Sequence, residues 1–178
     1  MSAGRIAVLG LGNLMRTDDA VGMLATERLR RDFRLPPEVA IVEGGTLGLD
    51  LLYPLEGVTH LLALDAVETG APPGTLLRFE DDAIRGLPIA KSVHLLGFAD
   101  LLDAMRLIGS APRKIVVLGV QPEIVGWGTA LSKAAAAALP RLVEAAAAQV
   151  TAWHAERTEP EAPLPLCCKD AGLPATGA

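Results

Sequence analysis

The chain has 178 residues, enough for one domain with a substantial core. Of these 51% are hydrophobic but only 3% aromatic, so that core must be built of Leu, Val, Ile and Ala. The net charge of -5 argues against nucleic acid or an anionic membrane surface as partner, since both require a basic face. No apolar run approaches the roughly 20 residues that span a bilayer, and the first one, IAVLGLG, is too short for a signal-peptide core. The cytoplasm is the expected compartment.

The first element, RIAVLGL at 5–11, is a continuous apolar run ending in glycine, the pattern of a strand buried on both faces. It opens like a dinucleotide-binding loop, but Met15 stands where the third glycine of that fingerprint belongs. Asp18 and Asp19 would then repel a pyrophosphate. A helix is predicted from Asp18 or Asp19 to Arg34, with Val21, Leu24, Ala25 and Leu29 on its apolar stripe and Pro36-Pro37 stopping it. Asp18 is the favoured cap of that helix. One step further on, Asp19 is free to face a crevice.

VAIVEGG at 39–45 reads as the second strand, and TLGLDLLYPL as a short helix ended by Pro54 and Gly57. VTHLLALDAV at 58–67 is the third strand, apolar until it meets Asp65. After the turn GAPPG, TLLRFED at 75–81 reads as an edge or hairpin strand. HLLGFADLLDAMRLIG at 94–109 is an amphipathic helix with a glycine stop, and RKIVVLGVQP at 113–122 another buried strand. Ser132 then caps an alanine-rich helix to about Arg157, with Pro140 inside it as a kink or a break. The domain therefore spans 1–157. From 158 to 178 the composition is that of a flexible tail, carrying both cysteines, Cys167 and Cys168, as adjacent reduced thiols.

Strand and helix alternate, so the fold class is α/β: an open, mostly parallel twisted sheet with helices on both faces, in one domain. Such sheets bind ligands beyond the carboxyl ends of their strands, where the strand order reverses. If the order begins 2-1-3, the crevice lies between the first and third strands. Asp19 then stands beyond the end of one and Asp65 at the end of the other.

An acid at the end of a buried strand costs free energy unless it is paired, hydrogen-bonded or bound to a cation. Asp65 is therefore either a loop cap accepting backbone N–H groups or a functional carboxylate. His60 and His154 read as packing or surface residues. His94 opens a helix, where functional side chains collect. Two carboxylates and an imidazole around one crevice make an open metal site. Glu43, at the end of the second strand, is either a loop acid beside a tight turn or a carboxylate on the same rim. Asn13 either closes the first loop or contacts a peptide backbone. Val125 and Trp127 are candidates for an exposed apolar docking patch, with a core role for Trp127 as the alternative. There is no G-x-S-x-G elbow, P-loop or His-x-x-x-His pair, which removes serine hydrolases, P-loop NTPases and zincins.

Four stretches in order, VLGLGNLMRTDDAVG, EGGTLGLDLL, LLALDAVETGAPPGT and SVHLLGFADLLDAM, followed by the strand IVVLGVQPE, resemble the maturation endopeptidases of nickel-iron hydrogenases over residues 5–145. The resemblance implies a single α/β domain that removes the C-terminal extension of a hydrogenase large-subunit precursor once nickel has been inserted. It implies a metal-binding and catalytic role for Asp19 and Asp65, with His94 as the third ligand. Asn13 and Glu43 are candidates for substrate binding. Nickel is expected to arrive with the substrate, and another divalent metal can take its place in the isolated protein. Asp19 stands where relatives often carry glutamate, and Ala20 where they commonly carry glycine. The competing readings are a non-catalytic nucleotide- or metal-binding module and a nickel-dependent chaperone that docks without cutting.

Overall fold

The computed structural model describes residues 5–85 and 93–158. Five strands, β1 (Arg5–Leu11), β2 (Val39–Gly45), β3 (Val58–Ala66), β4 (Leu76–Glu80) and β5 (Lys114–Val120), form one sheet in the order β2-β1-β3-β5-β4. All neighbours are parallel except β4, which runs antiparallel to β5 along an edge. The helices are α1 (Val21–Asp32), α2 (Asp82–Arg85), α3 (Val93–Leu107) and α4 (Lys133–Thr158). Short 3-10 turns cover Thr17–Ala20 and Leu49–Leu52.

The period-2 alternation of the central strands divides the core. Ile6, Val8, Leu62, Leu64, Val116 and Leu118 pack on α1 and α4. Ala7, Leu9, Leu61, Ala63, Ile115 and Val117 pack on α3 and the turn Leu49–Leu52. The result is the expected sheet between two helical layers, with the strand order beginning 2-1-3.

Three expectations shift in detail. The helix after β1 begins as a 3-10 turn and ends at Asp32, because Phe33 is already extended ahead of the two prolines. The short helix at 46–55 is only the single turn Leu49–Leu52. The alanine-rich helix continues through Pro140 instead of breaking there. Ser132 caps it as predicted, its Oγ accepting the Ala135 N–H at 3.1 Å. The tail, with Cys167 and Cys168, lies outside the described residues from 159 onward.

Candidate active site

The carboxyl ends of β1 and β3 are brought against the start of α1 by two glycines. A Cβ on Gly12 would sit 1.9 Å from the Asp19 carbonyl oxygen, and its φ of +120° suits only glycine. A Cβ on Gly22 would sit 2.1 Å from the Leu64 oxygen and 2.4 Å from the Leu11 oxygen. Backbone therefore lies directly on backbone, and the turn that carries Asp19 packs on β3, the strand that ends in Asp65 and Ala66.

Asp65 has no solvent exposure, and its Oδ1 accepts the N–H of Ala66 at 2.8 Å. By strand alternation it shares the face of Leu61 and Ala63, the α3 face. Asp19 is 7% exposed, and its Oδ2 accepts the Asn13 N–H at 3.1 Å. Asn13 closes the loop, as one of its two readings had it. Its Oδ1 accepts the Met15 N–H at 2.9 Å, and its carbonyl accepts the Arg16 N–H at 3.0 Å.

The first turn of α3 reaches the same rim. Gly97 and Gly48 pack backbone to backbone, a Cβ on Gly97 lying only 3.7 Å from the Gly48 Cα. Gly48 follows β2 by three residues, so α3 begins at the carboxyl end of the sheet. The His94 backbone lies in that first turn, and its side chain lies outside the described residues. Among the described residues no three His, Cys, Asp or Glu side chains are grouped to hold a metal ion.

Glu43 is not brought to Asp65. It shares the parity of Val39 and Ile41, which pack on the α1 layer, and its carboxylate accepts from Arg30 of α1 at 2.8 Å. Trp127 is 86% exposed, which excludes a core role.

The cap assigned to Asp18 is corrected by the structure: neither the turn nor α1 receives a side-chain cap bond. Asp18 instead reaches across to the loop between β5 and α4. Its Oδ2 accepts the N–H groups of Glu123 at 2.8 Å and Ile124 at 3.0 Å, and its Oδ1 that of Ser132 at 2.6 Å. Burial by itself raises this carboxyl's pKa, but the N–H groups of Ile124, Ser132 and Glu123 outweigh it and hold the group below the ordinary aspartate value.

Gln121 also went unnoticed in the sequence. It is buried at the end of β5, where its Oε1 accepts the Thr69 N–H at 2.8 Å and its Nε2 donates to Glu68 Oε1 at 2.8 Å. A polar residue closing a buried strand is the signal that exposed Asp65, and it would have served here too.

Around these acids the rim is apolar. Leu14 and Met15 on the first loop, Leu47 and Leu49 after β2, and Ile124, Val125 and Trp127 after β5 are all exposed. Buried carboxylates at the strand-order reversal, ringed by exposed apolar side chains, define a ligand site of the open α/β class whose rim suits a polypeptide partner.

A family model described as HycI, hydrogenase maturation protease, matches residues 23–149. The chain is 34% identical over 151 residues to the hydrogenase expression/formation protein HoxM of Cupriavidus necator, covering 83% of this chain and 75% of that one. It is 40% identical over 121 residues to the hydrogenase 2 maturation protease of Escherichia coli, covering 67% and 74%. The hydrogenase maturating endopeptidase HybD from E. coli superposes with a TM-score of 0.80 at 35% identity, over 84% of this chain and 93% of the other. The chain belongs to the hydrogenase maturation protease family and is an endopeptidase.

Proposed function

We propose that this endopeptidase removes the C-terminal extension of a nickel-iron hydrogenase large-subunit precursor after nickel insertion, and that Asp19, Asp65 and His94 read the inserted nickel. The observation that carries the reading is Asp65, a fully buried carboxylate at the end of β3, the strand on which the turn presenting Asp19 packs. A carboxylate at a strand end is a natural cation ligand, and a cation delivered by the substrate adds that interaction only when the correct partner has docked. The donor set suits nickel(II), which accepts both carboxylate and imidazole.

The chemistry that nickel supplies when bound is Lewis acidity toward a carbonyl or a water. The protein's own groups do the remainder. Asp19 and Asp65 hold the metal-bearing segment at the rim, and a carboxylate there accepts the proton of an attacking water. The exposed apolar loops hold the partner polypeptide, with Asn13 keeping the first loop closed behind Asp19. Glu43, committed to Arg30 on the opposite face, takes no part in this scheme.

The test is the mass of a large-subunit precursor incubated with the protein, with and without inserted nickel. Loss of a C-terminal peptide from the loaded precursor alone is the expected result. Equal cleavage of both forms would remove nickel recognition. Stoichiometric binding with unchanged mass would remove the proteolytic role.

A further inference from the structure

The turn that carries Asp19 is held less by its own helix than by a loop more than a hundred residues later. Thr17 adopts φ 35°, a left-handed conformation that a β-branched residue keeps only when its surroundings impose it. Three hydrogen bonds impose it here. The Thr17 N–H donates to the Gly128 oxygen at 2.7 Å, its hydroxyl donates to the Ile124 oxygen at 2.7 Å, and that hydroxyl accepts the Gly126 N–H at 3.0 Å. The Asp18 N–H donates to Ile124 as well, and the Gly128 N–H donates to Met15. Asp18 completes the seam, with both carboxylate oxygens taken up by N–H groups of the loop and no exposure to solvent.

We infer that Asp18 is a positioning residue: its carboxylate latches the turn Thr17–Ala20 to the loop between β5 and α4, and so fixes where the neighbouring Asp19 carboxylate lies at the rim. Its own oxygens are engaged and buried, so it acts through Asp19 and does not touch the substrate. Asp19 is gripped on its other side by the close approach of Gly12 and by the Asn13 N–H. A turn fixed from both sides leaves the carboxylate little freedom, and reacting groups misplaced by about 1 Å lose about a hundredfold in rate. The latch also makes one unit of the loops that carry Met15 and Trp127. The catalytic part of this inference rests on the role proposed above for Asp19.

The test compares wild type with Asp18→Asn, Asp18→Ala and Val150→Ala. Asparagine keeps an acceptor for Ser132 but turns an amide toward the donors at Glu123 and Ile124. Val150→Ala loosens the fully buried core of α4, far along the helix from the rim, and controls for lost stability alone. Two quantities are read at a temperature where all four proteins are folded. One is the cleavage of nickel-loaded precursor, and the other is the exchange rate of the Asn13 amide, which reports on its bond to Asp19.

Asp18→Asn is expected to lower kcat at least about tenfold with KM changed less than about threefold, and Asp18→Ala more. Asn13 exchange should accelerate in both Asp18 variants and not in Val150→Ala. Unchanged Asn13 exchange, or a kcat no lower than that of Val150→Ala, overturns the inference. A wild type that leaves the precursor intact, while Asn13 exchange still responds to Asp18, removes the proposed function and leaves the latch standing.

Discussion

At the carboxyl end of the sheet Asp18, Asp19 and Asp65 are buried and accept backbone N–H groups, while at the amino end polar side chains pair half-exposed, Lys114 with Glu156 and His154 with Glu38. The tryptophans are reversed. Trp153, at the amino end, is 3% exposed and meets His60 edge to face with centroids 5.3 Å apart, whereas Trp127, at the carboxyl end, is 86% exposed. At the amino end the core around Trp153 thus keeps apolar groups inside and polar ones outside, the arrangement that favours folding, with Leu107 and Ile108 at the end of α3 as exposed exceptions. The carboxyl end inverts it and bears the cost of burying acids and exposing an indole. The buried acids lie at or just beyond the ends of β1 and β3, among the exposed apolar loops that the proposed function assigns to the partner.

The largest break in this comparison should come from Asp19→Ala, which is expected to lower precursor cleavage by about 10²–10⁴-fold without unfolding the protein. Asp19→Glu, which restores the carboxylate on a longer stem, should retain far more activity; steady-state kinetics on both variants checks this. Gly22→Ala attacks the backbone contact that brings the two ends of β1 and β3 to α1. With its Cβ placed 2.1 Å from the Leu64 oxygen, it should lose about 3 kcal/mol or more in denaturant unfolding.

Trp127→Ala should leave stability unchanged but weaken partner binding by about 2 kcal/mol, read as a raised KM at constant kcat. A parallel loss of kcat would mean that the indole does more than dock.

At the amino end the effects are smaller. Burial, and then the charges of Lys114 and Arg157, hold the His60 pKa below its ordinary 6.5, so the folded state favours neutral imidazole. The unfolded chain binds the proton more readily. The stability contribution is therefore complete above the unfolded value and lost as pH falls through the folded one. His60→Phe, which keeps a ring against Trp153, should flatten the fall in stability between about pH 7 and 5, measured by urea unfolding across that range.

Much of this was legible in the chain. RIAVLGL, VAIVEGG and the apolar core of RKIVVLGVQP are continuous runs with glycine at or near their ends, and they became β1, β2 and β5 with bounds within a residue or two. Asp65 was legible for the same reason, as an acid terminating such a run. Glu43 shows the limit. Both it and Asp65 lie near strand ends, but side chains alternate across a sheet, and only the register assigns Glu43 to the α1 face and Asp65 to the α3 face. Asp18 was misjudged because a local cap and a bond to residues 123–132 look identical in sequence. Only folding brings that loop to the turn.

The central claim is that Asp65 is buried at the rim for chemistry and not for stability. The most direct measurement is a mass-resolved time course of nickel-loaded precursor with wild type and Asp65→Asn side by side, with circular dichroism showing both folded. The account predicts loss of the C-terminal peptide with wild type and an intact precursor with the variant. Complete cleavage by folded Asp65→Asn would contradict it.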